Sequence, residues 1–304
     1  MRNAFIDELC KLANEFPQVA LVVGDLGFSV IEPFVDQFPD RFFNAGVAEQ
    51  NMAGLAAGMA SEGYHVFTYS IANFPTFRCA EQIRNDIDYH QLAVTTVAVG
   101  GGLAYGALGY SHHAVQDYAL MRCMPNMMIA APGDPMEVRA CMRYLVENPQ
   151  PSYLRLGKVG EPTFRSEGIK LTPGRWLSVE TEGGKVNSGG RAILTTGATL
   201  EMAVKAKREH SAYADDAIYS MPLWGMSCKA DQFAQCCEFR EIIAVEDHLH
   251  DGGFGSWLSE ALSRHGADAP RVRSLSLAPS VCGEVGSQQH LNQSGGLTFG
   301  SEGA

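Results

Sequence analysis

Short β-branched runs alternate with longer stretches of helical spacing along the first half of the chain. Residues 19–23, 66–69, 92–99 and 127–130 predict buried strands, the first ending at Gly24-Asp25. Residues 50–61, 77–86 and 135–147 carry apolar positions at helical intervals, and residues 1–15 read as an amphipathic helix with Asp7, Glu8, Lys11 and Glu15 outward. Pro149 and Pro151 then break the chain before Tyr153-Leu154-Arg155. From about residue 157 to 190, Gly, Pro, Ser, Thr and charge dominate, with Gly183-Gly184 and Ser188-Gly189-Gly190. A second alternation follows: strands at 192–196, 217–221 and 242–245, and a helix at 200–210. The pattern implies an α/β protein of two consecutive domains, each with a mainly parallel sheet flanked by helices. The expected boundaries are 1–160 for the first domain, 161–189 for a linker and 190–304 for the second. A loose tail rich in Gly, Ser and Gln is expected from about 286. No internal repeat is visible.

Composition narrows the class. With 46% apolar and 19% charged residues, 304 residues can bury two cores. A formal charge of -11, without clustered Lys or Arg, argues against nucleic acid as a partner. Residues 91–116 lack Lys, Arg, Asp and Glu, but Gly100-Gly101-Gly102, Gly106 and Gly109 argue against a membrane helix; the run predicts a buried strand followed by a Gly-rich loop. None of the 8 Cys forms a C-x-x-C pair, so no metal site is expected, and without a secretory leader they are expected as reduced thiols in the cytoplasm.

One segment stands out chemically: Asn44-Ala45-Gly46-Val47-Ala48-Glu49-Gln50-Asn51-Met52. Glu49 is a lone carboxylate among small and apolar residues, and the helix after it is built from Ala53, Gly54, Ala56, Ala57, Gly58 and Ala60. A carboxyl buried there would have a raised pKa and could serve as a proton donor or a strong hydrogen-bond partner. The residues alone leave open a plainer reading, a first-turn Glu favoured by the helix dipole.

The run Gly46-Val47-Ala48-Glu49-Gln50-Asn51-Met52 resembles the glutamate segment of the pyrimidine-binding domain in transketolases and deoxyxylulose phosphate synthases. The resemblance extends in order over nearly the whole chain. It takes in Val22-Val23-Gly24-Asp25-Leu26, Phe74-Pro75-Thr76-Phe77-Arg78, Glu81-Gln82-Ile83-Arg84 and Gly109-Tyr110-Ser111-His112-His113. It continues through Pro125-Asn126-Met127, Ala131-Pro132-Gly133-Asp134, Pro151-Ser152-Tyr153-Leu154-Arg155, Glu246-Asp247-His248 and Gly252-Gly253-Phe254-Gly255. The implied cofactor is thiamine diphosphate with Mg²⁺. By resemblance, Glu49 hydrogen-bonds a ring nitrogen of the aminopyrimidine and so controls its tautomer, while the cofactor supplies the electron sink. Phe74 would stack on that ring, with Phe77, Arg78 and Asp25 also on the cofactor side; unaided, either Phe reads equally as core. His112 matches the histidine that hydrogen-bonds substrate oxygens. His113 stands where the family usually has Gln, and is expected either beside substrate or as filling. Arg155 matches an arginine that grips a substrate phosphate, the alternative being a surface charge at a strand end.

Two departures from the family pattern matter. Leu108 stands where ordinary transketolases carry an acidic residue against the acceptor's hydroxyl, and a second histidine of the family falls near Gly100. Leu cannot accept that hydrogen bond, so an acceptor other than the ordinary sugar phosphates is expected. The second departure is the missing G-D-G motif with its downstream Asn, which holds Mg²⁺ and the diphosphate. Gly24-Asp25-Leu26-Gly27 with Asn51 is the only candidate, and Leu26 spoils it. The metal ligands are therefore expected on a partner chain carrying the diphosphate domain. The implied protein is the C-terminal subunit of a split transketolase, a heterotetramer of two copies of each half, with residues 53–60 as a close-packing contact face. The β subunit of the first component of a 2-oxoacid dehydrogenase and a catalytically silent interaction subunit remain as alternatives.

Overall fold

The structure, a computed structural model, describes residues 1–158, 160–166, 168–179 and 190–300. Most of the glycine-rich part of the expected linker, 180–189, lies outside the described residues. The first half runs α1 (Arg2–Glu15), β1 (Val19–Val23), α2 (Glu32–Gln37), β2 (Phe42–Asn44), α3 (Glu49–Ser61), β3 (His65–Ile71), α4 (Ala80–Gln82), β4 (Val94–Val99), α5 (Asp117–Met121), β5 (Met128–Ala130), α6 (Pro135–Glu147) and β6 (Ser152–Leu156). The second runs β7 (Leu177–Ser178), β8 (Arg191–Thr195), α7 (Leu200–Glu209), β9 (Ala217–Ser220), β10 (Leu223–Trp224), α8 (Gln232–Cys236), β11 (Glu241–Leu249), α9 (Phe254–Leu262), β12 (Arg271–Leu277) and α10 (Gln288–Ser294). Two α/β sheets result, as the alternation implied. Their orders are β10-β5-β6-β4-β3-β1-β2 and β12-β11-β8-β9-β7, parallel except at β10 and β7.

Local chemistry explains the elements. β1, β4 and β6 are buried along their whole length, as strands covered on both faces must be. Asp134 caps α6, its side chain accepting from the backbone N–H of Met136 and Glu137 at 2.9 and 2.8 Å, with Pro135 in the first turn. The acidic face of α1 meets the basic face of α6: Arg139 pairs with Asp7 and Glu8, and Arg143 with Glu8 and Glu15. The charge-free run becomes β4 and a loop in which Gly100, Gly102 and Gly109 take positive φ. Among the described residues no helix is long and apolar enough to cross a membrane.

The division of the chain differs from the expected one in three places. Leu223-Trp224 lies past the expected linker, yet it adds β10 antiparallel to β5 of the first sheet. Leu177-Ser178 falls inside the expected linker, yet it pairs with β9 of the second sheet. The tail expected to be loose from 286 carries α10, whose Leu291 is fully buried together with Leu297. Two large apolar side chains hold that segment down despite its polar composition.

Two histidines are sealed in this fold. His65 on β3 meets the Thr95 hydroxyl at 2.9 Å, and His248 on β11 stacks on Tyr118 with ring centroids 5.2 Å apart. Burial holds the pKa of each ring down at about 4, against an ordinary 6.5. Between these values the unfolded chain binds protons that the folded chain refuses, so stability falls as the pH drops from 6.5 to 4. The expected loss is about 3 kcal/mol per ring. Urea unfolding at a series of pH values should show it, and His65→Gln and His248→Gln should each remove part of the slope. A stability flat from pH 7 to 4 would contradict this.

Candidate active site

The carboxyl ends of the parallel strands in the first sheet gather the candidate residues, as expected for an open α/β sheet. Gly24 and Asp25 follow β1, Asn44 ends β2, Asn73 follows β3 and Gly100 follows β4. Asp25 and Asn44 face each other: Asn44 Nδ2 donates to Asp25 Oδ1 at 3.0 Å, and the Asp25 backbone N–H donates to Asn44 Oδ1 at 3.1 Å. Asn44 Oδ1 also accepts from Gly46 at 2.9 Å. This fixes the turn that delivers Glu49 to the start of α3.

Glu49 is 3% exposed. It packs beside Gly24 and Met52. Its surroundings are not as poor in charge as the sequence suggested, because Arg78 Nη1 donates to Glu49 Oε2 at 3.0 Å. Arg78 comes from the helical turn after Phe74, 29 residues on, and its side chain is 50% exposed. The guanidinium also lies 4.2 Å from the centroid of the Phe74 ring. His112 meets the same ring edge-on at 5.2 Å. The structure thus brings Glu49, Arg78, Phe74 and His112 together, beside an open recess of about 470 Å³ lined by Val47, Ala48, Glu49, Gln50, Asn51 and Arg78. His112 is half-buried, its Nδ1 3.0 Å from the Ser111 hydroxyl, and its pKa is lowered by burial and then by His113 and Arg78. Phe77 is 47% exposed next to Arg78, and Leu108 is 58% exposed on the glycine loop.

Two expected substrate contacts are corrected. Arg155 does not reach for a phosphate: it is buried, with Nε donating to Asp117 Oδ2 at 2.7 Å and Nη1 to Asp247 Oδ1 at 2.5 Å. Its remaining donors go to the Ala114 and Asp247 carbonyls. With its fork filled by two carboxylates, no donor is left for a ligand. His113 is fully buried under the loop, Nε2 3.2 Å from the Gly106 carbonyl, and so serves as filling. A third correction concerns the contact face. Ala53, Ala56, Ala57 and Ala60 pack into the chain's own core, which leaves Asn51, Gly54, Leu55 and Gly58 as the exposed side of α3.

Asn73 is a site residue that the sequence did not reveal. Its side-chain amide donates to the carbonyls of Ser111 and His113, at 3.2 and 2.8 Å, on both sides of His112. Asn before Phe-Pro carries no signal for a bond to residues 38 and 40 positions away. Among the described residues, no group of three or more His, Cys, Asp or Glu is placed to hold a metal ion.

Residues 1–159 match the family model of the transketolase pyrimidine binding domain. The chain belongs to the transketolase family. It is 30% identical over 260 residues to one of the two subunits of an apulose-4-phosphate transketolase of Actinobacillus succinogenes, covering 85% of this chain and 82% of that one. It is 32% identical over 287 residues to a putative transketolase C-terminal section of Methanocaldococcus jannaschii, covering 90% and 85%. A solved structure described as a split gene transketolase, inactive beta4 tetramer, superposes with a TM-score of 0.82 at 30% identity, covering 98% of this chain and 93% of that one. The resemblance carried by the ordered motifs therefore stands, as does the two-sheet α/β fold of this transketolase chain.

Proposed function

We propose that this chain is the C-terminal subunit of a thiamine diphosphate-dependent transketolase that moves a two-carbon ketol unit between sugar phosphates. The observation that carries this reading is Glu49: a buried carboxylate with one oxygen paired to Arg78 and the other free of hydrogen bonds within the described chain, at the edge of an open recess. A carboxylate acceptor beside the Phe74 ring suits an aminopyrimidine, which needs one polar partner at a ring nitrogen and an aromatic face. The fit is conditional on Arg78, whose guanidinium now covers that ring; being half-exposed, it can swing aside at little cost.

In this reading Glu49 holds a proton at the pyrimidine ring nitrogen and Phe74 orients the ring. When bound, the cofactor supplies the electron sink for cleaving the bond next to a ketose carbonyl. His112, across the Phe74 ring from Arg78, holds or moves a proton at a substrate oxygen. Asp25 and Phe77 border the same side. Residues 1–160 would form the pyrimidine domain, and the diphosphate and its Mg²⁺ would be held by a partner chain. The solved relative is described as an inactive beta4 tetramer; by that likeness this chain alone would associate with itself and lack turnover.

Leu108, exposed on the loop and unable to accept a hydrogen bond, supports an acceptor other than the ordinary aldose phosphates. The likeness to an enzyme for apulose 4-phosphate points the same way. The test is to assemble the chain with a diphosphate-domain subunit and assay ketol transfer from a ketose phosphate against decarboxylation of a 2-oxoacid. Ketol transfer with a poor response to ribose 5-phosphate is the expected result. Preference for the 2-oxoacid would overturn the reaction assignment, and ribose 5-phosphate as the best acceptor would overturn the role of Leu108.

A further inference from the structure

The residue that steadies the proposed substrate histidine belongs to the other domain. The loop carrying His112 is held from two sides. On one side the Asn73 amide takes the carbonyls of Ser111 and His113. On the other, Arg155 Nη2 donates to the Ala114 carbonyl at 2.7 Å, and Gly102 and Ala114 exchange two backbone hydrogen bonds of 2.9 Å. The Leu249 backbone N–H donates to the Val115 carbonyl at 3.0 Å. Asp117, which starts the helix after the loop, pairs with Arg155 Nε.

Asp247 on β11 organises this second side. Its carboxylate pairs with Arg155 Nη1 at 2.5 Å and its carbonyl accepts from Arg155 Nη2 at 3.2 Å, so it sets where the guanidinium stands. It also lies against Gly102, which has φ +64°; a Cβ there would run into the Asp247 carboxylate. The Asp117, Arg155 and Asp247 side chains are all buried. A buried bidentate arrangement of this kind has few alternative geometries, because any shift leaves a charge unpaired in a poor solvent.

We infer that Asp247 is a positioning residue for His112, acting through Arg155 and the Gly102–Ala114 pair. The second domain thereby braces the loop of the first. This rests on the reading of His112 as the group at the substrate oxygen. Misplacing such a group by a fraction of an ångström lowers turnover far more than substrate binding.

The test uses Asp247→Asn, which keeps shape and can still accept from Arg155, with Asp216→Asn as a control. Asp216 pairs with Arg191 in the same domain and touches none of the loop. In the full chain, hydrogen exchange at residues 112–114 should quicken about 10-fold or more in Asp247→Asn, with the amides of α3 and β3 unchanged. In the assembled enzyme kcat should fall about 10-fold with KM within roughly 2-fold, and Asp216→Asn should do neither. Unchanged exchange at 112–114, or equal acceleration everywhere, overturns the inference. Should Asp247→Asn not fold, native-state exchange of the wild-type chain in rising urea decides: residues 113–114 should open together with Leu249. Opening in step with β3 instead overturns the inference. Full activity in His112→Asn would remove the catalytic reading alone and leave the exchange result standing.

Discussion

Glu49→Gln in the assembled enzyme is expected to lower kcat by about two to four orders of magnitude while the chain remains folded. The side chain is the one buried carboxylate at the recess that keeps an oxygen free of hydrogen bonds within the described residues. Glutamine fills the same volume but neither takes up nor releases a proton, so tautomer control is lost while packing against Met52 and Gly24 is kept. The stability cost should be small. The partner left behind, Arg78, is half-exposed and is solvated when released. An exposed pair of this kind contributes up to about 1 kcal/mol, and the first-turn dipole contact roughly as much. Turnover and thermal midpoint measured on the same preparation separate the two effects. A variant with wild-type kcat would end the proposed role, and a variant that loses activity only by unfolding would leave it unsupported.

Arg155→Met should do the opposite: it should damage the fold before any chemistry is reached. The arginine stands between Asp117 and Asp247, with Tyr118 under its guanidinium at 4.3 Å. Removing it leaves two buried carboxylates facing each other without a cation. Breaking a buried pair from one side costs about 3–5 kcal/mol. For a chain of this size that lowers the melting temperature by about 10 °C. Arg155→Lys should recover only part of the loss, because an ammonium cannot serve Asp117, Asp247 and the Ala114 carbonyl from one planar fork. If Arg155→Met melts like the wild type and only weakens phosphate binding, the arginine is a substrate ligand and the buried network is misread.

The contrast between Glu49 and Arg155 shows where reading residues in order stops. Strand and helix placement was legible because burial on two faces leaves β-branched runs, and helical packing leaves apolar residues at fixed intervals. Glu49 was legible too, since a carboxylate set among glycine and alanine at a helix start is conspicuous without a partner in view. The order of motifs carried the family. Arg155 and His113 are legible only by position in those motifs, and position says nothing of what lies opposite. The partners of Arg155 stand 38 and 92 residues away, on a helix of one domain and a strand of the other. Arg78 was expected near the cofactor, but its grip on Glu49 required the turn after β3 to fold back across α3.

By itself the amino-acid sequence determined the two α/β halves, the glycine-rich loop after β4 and the carboxylate at the head of α3, because each follows from the local spacing of side chains. Only the tertiary structure decided which charges are paired. It sent Arg155 inward, buried His113, closed the tail over Leu291 and Leu297, and lent β10 to the first sheet. Those outcomes depend on groups far apart in the chain meeting in a medium that does not tolerate an unmatched charge or an unfilled space.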